Sequence, residues 1–257
     1  MLSLAACAQP SAVDRAAHFV RTHQEAEAKK VLRERLAEHP DDVGARRMLV
    51  RVLAWSGDLD GARKEVEELQ KKLPDDPIPW IELGHAFELT HRFEEALAAY
   101  DTAASVAPTS PAGPREGGMR CARWGEPEEA AQRLEEAVRR GANDAEIMHA
   151  LGLVRVNLRD YPGARDAYEK GLAADPSSIE NLLGLATVAI ASDDPPAALA
   201  AYDRLLAKKP NYASAELGRA WALAKMGQKD DAKRAIDKAE KLGAPQENVA
   251  KLRSLLH

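Results

Sequence analysis

Aromatic residues are scarce in this chain, at 5% of 257 positions, and long runs rich in Val, Ile and Thr are missing. Sandwich and barrel strands draw on such side chains, so an all-β fold is excluded. Cysteine is nearly absent: Cys7 and Cys121 cannot make a disulfide framework. No stretch of about 20 apolar residues occurs, so no segment reads as a transmembrane helix. Positive charge is not in excess either. Acids and bases are interspersed around a formal net charge of −5, which leaves no face built for phosphates and makes nucleic acid an unexpected partner. What is plentiful is Ala, Leu, Glu, Arg and Lys, all strong helix formers, within a composition 45% apolar.

A period of 34 organises these residues. Starting at Ala28, it gives Ala62, Ala96, Ala130, Ala164, Ala198 and Ala232, every one an alanine. Four residues after each stands a large apolar side chain: Leu32, Val66, Tyr100, Leu134, Tyr168, Tyr202 and Ile236. Twelve residues before each stands a mostly small one: Ala16, Val50, Gly84, Gly118, Gly152, Ala186 and Ala220. Twelve residues after it, proline appears five times (Pro40, Pro74, Pro108, Pro176, Pro210), with Ala142 and Ala244 as exceptions.

This is the pattern of a helical hairpin. Small residues let two helix backbones approach closely, and the large residue fills the groove beside them. The recurrent proline ends the second helix, because it cannot donate and pushes its predecessor out of the α region. Gly57, Gly125 and Gly227 recur in one phase between the helices, where a left-handed residue suits a helix C-terminus. The Asp-Asp-Pro-Pro run at 193–196 places prolines in a first turn, where a missing N–H costs little.

Trp80, Leu83, Gly84 and Phe87, followed by Ala96, Tyr100 and Pro108, resemble the tetratricopeptide repeat (TPR) at each marked position. Leu151 and Gly152 with Ala164, Tyr168 and Pro176 are the next-best match, along with the unit from Ile179 to Tyr212. The resemblance implies an all-α, right-handed superhelical solenoid of about seven hairpins plus a C-terminal capping helix. Units fall at 9–42, 43–76, 77–110, 111–144, 145–178, 179–212 and 213–246, after a lipobox-bearing remnant at 1–8 and before a capping helix at 247–257. Arg15 stands where later units carry Leu or Gly, as suits a polar terminal cap. In the unit 111–144, Pro114, Gly117 and Gly118 fall inside the first helix, which is therefore expected to start at or after Pro114 and to be the weak point of the stack. A late helix start and a functional hinge are both open readings there. Val249, Leu252 and Leu256 share one face of the final helix and are expected to cover the end of the stack.

No catalytic or cofactor chemistry is expected. His85 and His91 are six apart and His18 and His23 five apart, so neither pair has the i, i+4 spacing of a zinc site. Gly113 to Gly118 has a faint glycine-loop look but lacks a following Lys-Ser/Thr and a strand before it. Glu94–Glu95 and Glu128–Glu129 sit just after helix starts, where they complement the dipole. Cys121 falls at a core position as an inert thiol.

By resemblance to the family, partner-facing residues recur at i, i+4 and i+8 along each first helix. That gives Arg47, Arg51 and Trp55, then Ile81, His85 and Leu89, then Arg115, Met119 and Arg123. His149, Leu153 and Asn157 follow, then Leu183, Thr187 and Ala191, and last Leu217, Trp221 and Lys225. The groove is thus expected to be basic and aromatic at its N-terminal end and apolar at its C-terminal end. Its arginines read either as an anchor for a carboxylate-bearing extended peptide or as partners of neighbouring Glu residues. Chaperone-binding members of the family carry a Lys/Asn clamp. Here Arg47 and Arg51 stand at its first positions, but Glu82, Ala112 and Glu116 occupy later ones, so chaperone docking is disfavoured.

Leu4-Ala5-Ala6-Cys7 matches a bacterial lipobox, although no basic n-region precedes it. With Ala8 after the cysteine, the match points to the outer membrane, periplasm-facing. In size and layout the chain resembles TPR pilotin lipoproteins of the type IV pilus secretin. The resemblance implies a non-catalytic scaffold that binds a protein or an extended segment, a secretin subunit among the candidates, with the membrane reached only through lipid on Cys7. The alternative is a soluble cytoplasmic adaptor that bridges components of a complex.

Overall fold

The structure, a computed structural model, describes residues 10–256; Cys7 and its lipobox lie outside the described residues. Among the described residues there are fifteen helices and no strand. The chain forms two compact units, one through Gly117 and one from Gly118. The first holds hairpins α1 (Ala12–Arg21) with α2 (Glu25–Glu38), α3 (Val43–Trp55) with α4 (Leu59–Lys72), and α5 (Ile78–Leu89) with α6 (Phe93–Val106). The boundary falls inside α7 (Ala112–Trp124). The second unit continues with α8 (Pro127–Arg139) and hairpins α9 (Ala145–Asn157) with α10 (Tyr161–Ala174) and α11 (Ile179–Ala191) with α12 (Pro195–Lys208). It ends with α13 (Ala213–Lys225), α14 (Lys229–Lys241) and α15 (Gln246–Ser254). Odd-numbered helices through α13 are the first, or A, helix of a repeat, and even-numbered ones the second, or B, helix.

Every A helix stops by the same device. His23, Gly57, His91, Gly125, Arg159, Asp193 and Gly227, each 34 residues from the next, adopt φ between 48° and 83°. The next residue then donates its N–H five positions back at 2.8–2.9 Å, from Gln24 to Phe19, Asp58 to Leu53, and so on to Gln228 and Leu223. This Schellman closure satisfies a carbonyl that the helix end would otherwise orphan. The donor residue is also the N-cap of the B helix: the Asp58, Asp160 and Asp194 carboxylates accept from the N–H of Gly61, Gly163 and Ala197. The glycine phase seen in the sequence holds, but four turns use ordinary L-residues in the left-handed region.

B helices stop in two ways. Five meet the repeat proline. Where Ala142 and Ala244 replace it, the preceding Gly141 and Gly243 take φ of 102° and 84°, and the alanine N–H bonds back to Ala137 and Ala239. The proline exceptions therefore carry a glycine stop one residue earlier.

All seven register alanines are at 0% exposure. Beside them, Tyr168 lies between Gly152 of α9 and Gly184 of α11; a Cβ on either would come within 2.4 Å of its ring. The close approach thus requires glycine on both helices, and the tyrosine body fills the space so made. Asn181, fully buried, donates through Nδ2 to the Ala145 carbonyl at 3.0 Å and so ties α11 to the start of α9.

Helix α7 differs from expectation. It begins at Ala112, before Pro114, which is its third residue. N–H groups of the first turn have no partner within the helix, so proline breaks nothing there. Its glycines answer to packing: a Cβ on Gly113 would meet the Ala104 backbone at 2.5 Å, and one on Gly118 the Leu134 side chain at 2.8 Å. At the C-terminus, Val249 and Leu256 are buried with Leu252 packed partly beside them against the α13–α14 core, Leu256 lying just past the end of α15.

The wedge makes a measurable statement. Gly152→Ala is expected to destabilise by about 1–3 kcal/mol through overpacking. Combining it with Tyr168→Leu should recover part of that loss, read as a coupling term in a denaturant double-mutant cycle. Strict additivity of the two changes would contradict the wedge.

Candidate partner-binding faces

In the first unit the A-helix face carries a ladder of ion pairs rather than free cations. Arg47 bonds the Asp76 carboxylate, and Arg51 bonds Glu82 through Nε at 2.7 Å. His85 Nε2 lies 3.0 Å from a Glu116 carboxylate oxygen. The Arg51–Glu82 and His85–Glu116 rungs both span 31 residues, from one A helix to the next. Of the two readings of these arginines, the geometry supplies the pairing: Arg47 and Arg51 already hold carboxylates. Pairs this exposed contribute at most about 1 kcal/mol each, and serve to fix register more than stability. What the ladder leaves uncovered is apolar. Trp55 is 53% and Leu89 69% exposed, one repeat apart at the ends of α3 and α5.

Ile81 and Leu217 do not line a face. Both are 8% exposed and belong to the core. They stand where Arg47 stands in its repeat, at the margin of the face. An arginine there can carry its charged head out to solvent, whereas an aliphatic side chain packs inward.

In the second unit the A-helix face is mostly uncharged. Met119, His149, Leu183 and Trp221 are half-buried, while Arg123, Leu153, Asn157, Thr187, Ala191 and Lys225 are exposed. Ile190, one residue from the expected Ala191, is also exposed and was not foreseen. The Lys225 ammonium sits 5.7 Å from the Trp221 ring centroid and 3.3 Å from the Asp193 carboxylate. The His149 ring tilts over Tyr168, and burial lowers its pKa against the opposing pull of the Glu180 carboxylate.

Three B-helix tyrosines point toward these faces with different fates. The Tyr100 hydroxyl bonds Glu88 at 2.9 Å. The Tyr168 hydroxyl is buried without a partner, and burial pushes its pKa to about 12. The Tyr202 pKa is also raised by burial, yet its hydroxyl stays open to solvent and has no partner in the protein.

On the opposite side of the second unit, two shallow clefts of about 220 and 170 Å³ repeat one register apart. Glu135, Leu151 and Lys170 line one, and Glu169, Leu185 and Arg204 the other. Among the described residues, no group of three or more His, Cys, Asp or Glu could hold a metal ion. No described helix is long and apolar enough to cross a membrane.

Family models described as tetratricopeptide repeat match residues 22–84, 156–212 and 189–256, with a further one at 123–179. The chain belongs to the tetratricopeptide-repeat family. The TPR solenoid is also the fold of similar solved structures. The C-terminal part of a TPR protein from Cytophaga hutchinsonii shares 17% identity at a TM-score of 0.71, covering 93% of this chain and 98% of that one. YrrB, described as a TPR protein with an unusual peptide-binding site, shares 18% at a TM-score of 0.65, covering 74% and 97%. Pseudomonas aeruginosa pilF shares 18% at a TM-score of 0.53, covering 81% and 93%. A heat-shock protein cognate co-chaperone, sgt12 of Aspergillus fumigatus, is 29% identical over 119 residues, which are 45% of this chain. The chain spans only 35% of that relative's length. TPR proteins are protein-binding scaffolds that take proteins or peptides.

The tyrosine contrast is testable. Tyr100→Phe should cost about 1 kcal/mol by removing a made hydrogen bond, whereas Tyr168→Phe should be neutral or slightly stabilising. The raised pKa of Tyr168 favours its neutral form in the fold, so that contribution is intact below the ordinary tyrosine value of 10 and is lost as pH rises through about 12. Denaturant melts across this window should fall less steeply for Tyr168→Phe than for the parent chain.

Proposed function

We propose that this TPR protein is a non-catalytic scaffold whose A-helix faces hold a segment of a protein partner. It acts as an outer-membrane lipoprotein facing the periplasm and assists assembly or targeting of an envelope machine such as a type IV pilus secretin. The observation that carries the binding reading is the exposed apolar set on those faces, Trp55 and Leu89 in the first unit and Leu153 and Ile190 in the second. Trp55 and Leu89 repeat in register, and large apolar side chains gathered on one face are surface that an interaction partner covers. The envelope reading is supported by Leu4-Ala5-Ala6-Cys7 and by likeness in fold to pilF.

The second reading, a soluble adaptor, is favoured by the co-chaperone relative. Against a chaperone-tail clamp stand Glu82 and Glu116, carboxylates already engaged with Arg51 and His85.

Two measurements separate the readings. In bacterial cells, the parent chain should fractionate with membranes and Cys7→Ala with the soluble material; a soluble parent chain leaves the adaptor. For binding, Trp55→Ser with Leu89→Ser, or Leu153→Ser with Ile190→Ser, should reduce partner recovery after cross-linking at least tenfold without changing helicity. Arg51→Ala, which removes only a half-exposed ion pair, should change recovery less than twofold. Recovery indifferent to both apolar pairs would remove these faces from the function.

A further inference from the structure

We infer that the second unit carries a self-association surface on its B-helix side, apart from the A-helix faces. A second copy of the chain docks across the cleft between α10 and α12, each copy's Arg204 meeting the other's Glu169.

The cleft, of about 170 Å³, has Glu169 of α10 on one wall and Arg204 of α12 on the other, with Leu185 of α11 and Ala201 between them. The other charged residue lining it, Arg165, is held by Asp194 at 3.1 Å. Glu169 and Arg204 are both exposed, and among the described residues neither side chain has an ion-pair or hydrogen-bond partner.

The repeat accounts for these two open charges. At steps of 34 the acids run Glu135, Glu169 and Asp203, and the bases Lys170, Arg204 and Lys238. The outer members of both series are neutralised. Arg155 bonds Glu135 at 2.9 Å, and Arg219 bonds Asp203 at 2.7 Å. Lys170 is bonded to Asp166 at 2.8 Å, and Lys238 to Glu216 at 2.6 Å. At the middle step every residue that would supply such a contact is apolar. Ala189 and Leu185 stand where Arg155 and Arg219 stand, and Ala200 and Leu182 where Asp166 and Glu216 stand. Glu169 and Arg204 are thus left open by the register itself, not by a general solvation of the surface.

Opposite charges open at one height on neighbouring helices are complementary to themselves. The 34-residue step sets Glu169 level with Asp203, next to Arg204. A two-fold axis along the helix direction therefore brings each Glu169 opposite Arg204 of the other copy, an isologous contact. The arginine stem can lie along Leu185 and Ala201 while its head reaches the carboxylate. Ala200, where the adjacent repeats carry Asp166 and Arg234, leaves the α12 wall low enough for close approach. A contact of two helices per copy is small, so the dimer dissociates with a constant on the order of 100 μM.

Sedimentation velocity of the full chain, from about 10 μM to about 1 mM, reads this equilibrium. The parent chain should pass from monomer to dimer over that range. Glu169→Lys and Arg204→Glu each set two like-charge contacts across the axis. Each should weaken the dimer by about tenfold or more with unchanged far-UV circular dichroism. Mixed in equal amounts, the two variants should associate like the parent, because every contact then joins opposite charges. Leu153→Ser with Ile190→Ser, on the A-helix face, should leave the dimer as it is. A parent that stays monomeric, a dimer indifferent to both reversals, or a mixture that fails to recover it overturns the inference. Loss of the dimer with Leu153→Ser and Ile190→Ser overturns it too, by moving the contact to the other side of the unit.

Discussion

How closely two helix backbones of a hairpin can approach is set at one register, by the volume of a B-helix side chain against a small A-helix residue. The pairs vary together along the chain: Val50 with Val66, Gly84 with Tyr100, Gly152 with Tyr168, Ala220 with Ile236. Two of the three tyrosine fillers, Tyr100 and Tyr168, face a glycine, which has no Cβ to meet the ring. The one tyrosine that faces alanine on its own hairpin, Tyr202 beside Ala186, is also the least buried of the three. Its ring end presses instead on Gly218 of the next hairpin, a close approach that glycine permits.

Polar contacts follow the same repeat. A residue on one A helix and an acid on the next are brought together by the 34-residue step, as in Arg51 with Glu82 and His85 with Glu116. Such half-exposed pairs contribute little individually. Their effect on the face is to remove net charge from its centre, so that shape and apolar area remain as the features a partner can read there. In the second unit the equivalent positions, Met119 and Leu153, carry no charge, and the face reaches a similar state by composition.

Much of this was legible in the sequence because it rests on side-chain size at fixed spacing. The alanine register and the all-helical fold needed nothing else. The four non-glycine turn residues His23, His91, Arg159 and Asp193 were not legible, since no side chain advertises a left-handed backbone; they show only once the glycine phase is carried through every repeat. The start of α7 was misplaced because propensity penalises Pro114, Gly117 and Gly118, while position in the first turn and close packing make them acceptable. Ile81 and Leu217 were misassigned because helical spacing gives an angle around the helix and not a depth. The acids facing Arg47 and Arg51 were readable in principle, though only by comparing adjacent repeats rather than neighbouring residues.

One residue closes the carbonyl end of each A helix and also opens the B helix that follows, as Asp58, Asp160 and Asp194 do. The two helices therefore share a joint with no slack in it. An added residue would undo both terminations together and rotate the second helix by about 100°, carrying its core face away from the stack. Length variation in this chain is thereby channelled to the junctions between repeats, where proline and glycine stops already interchange. A lineage could graft new loops there without disturbing the joints inside the hairpins.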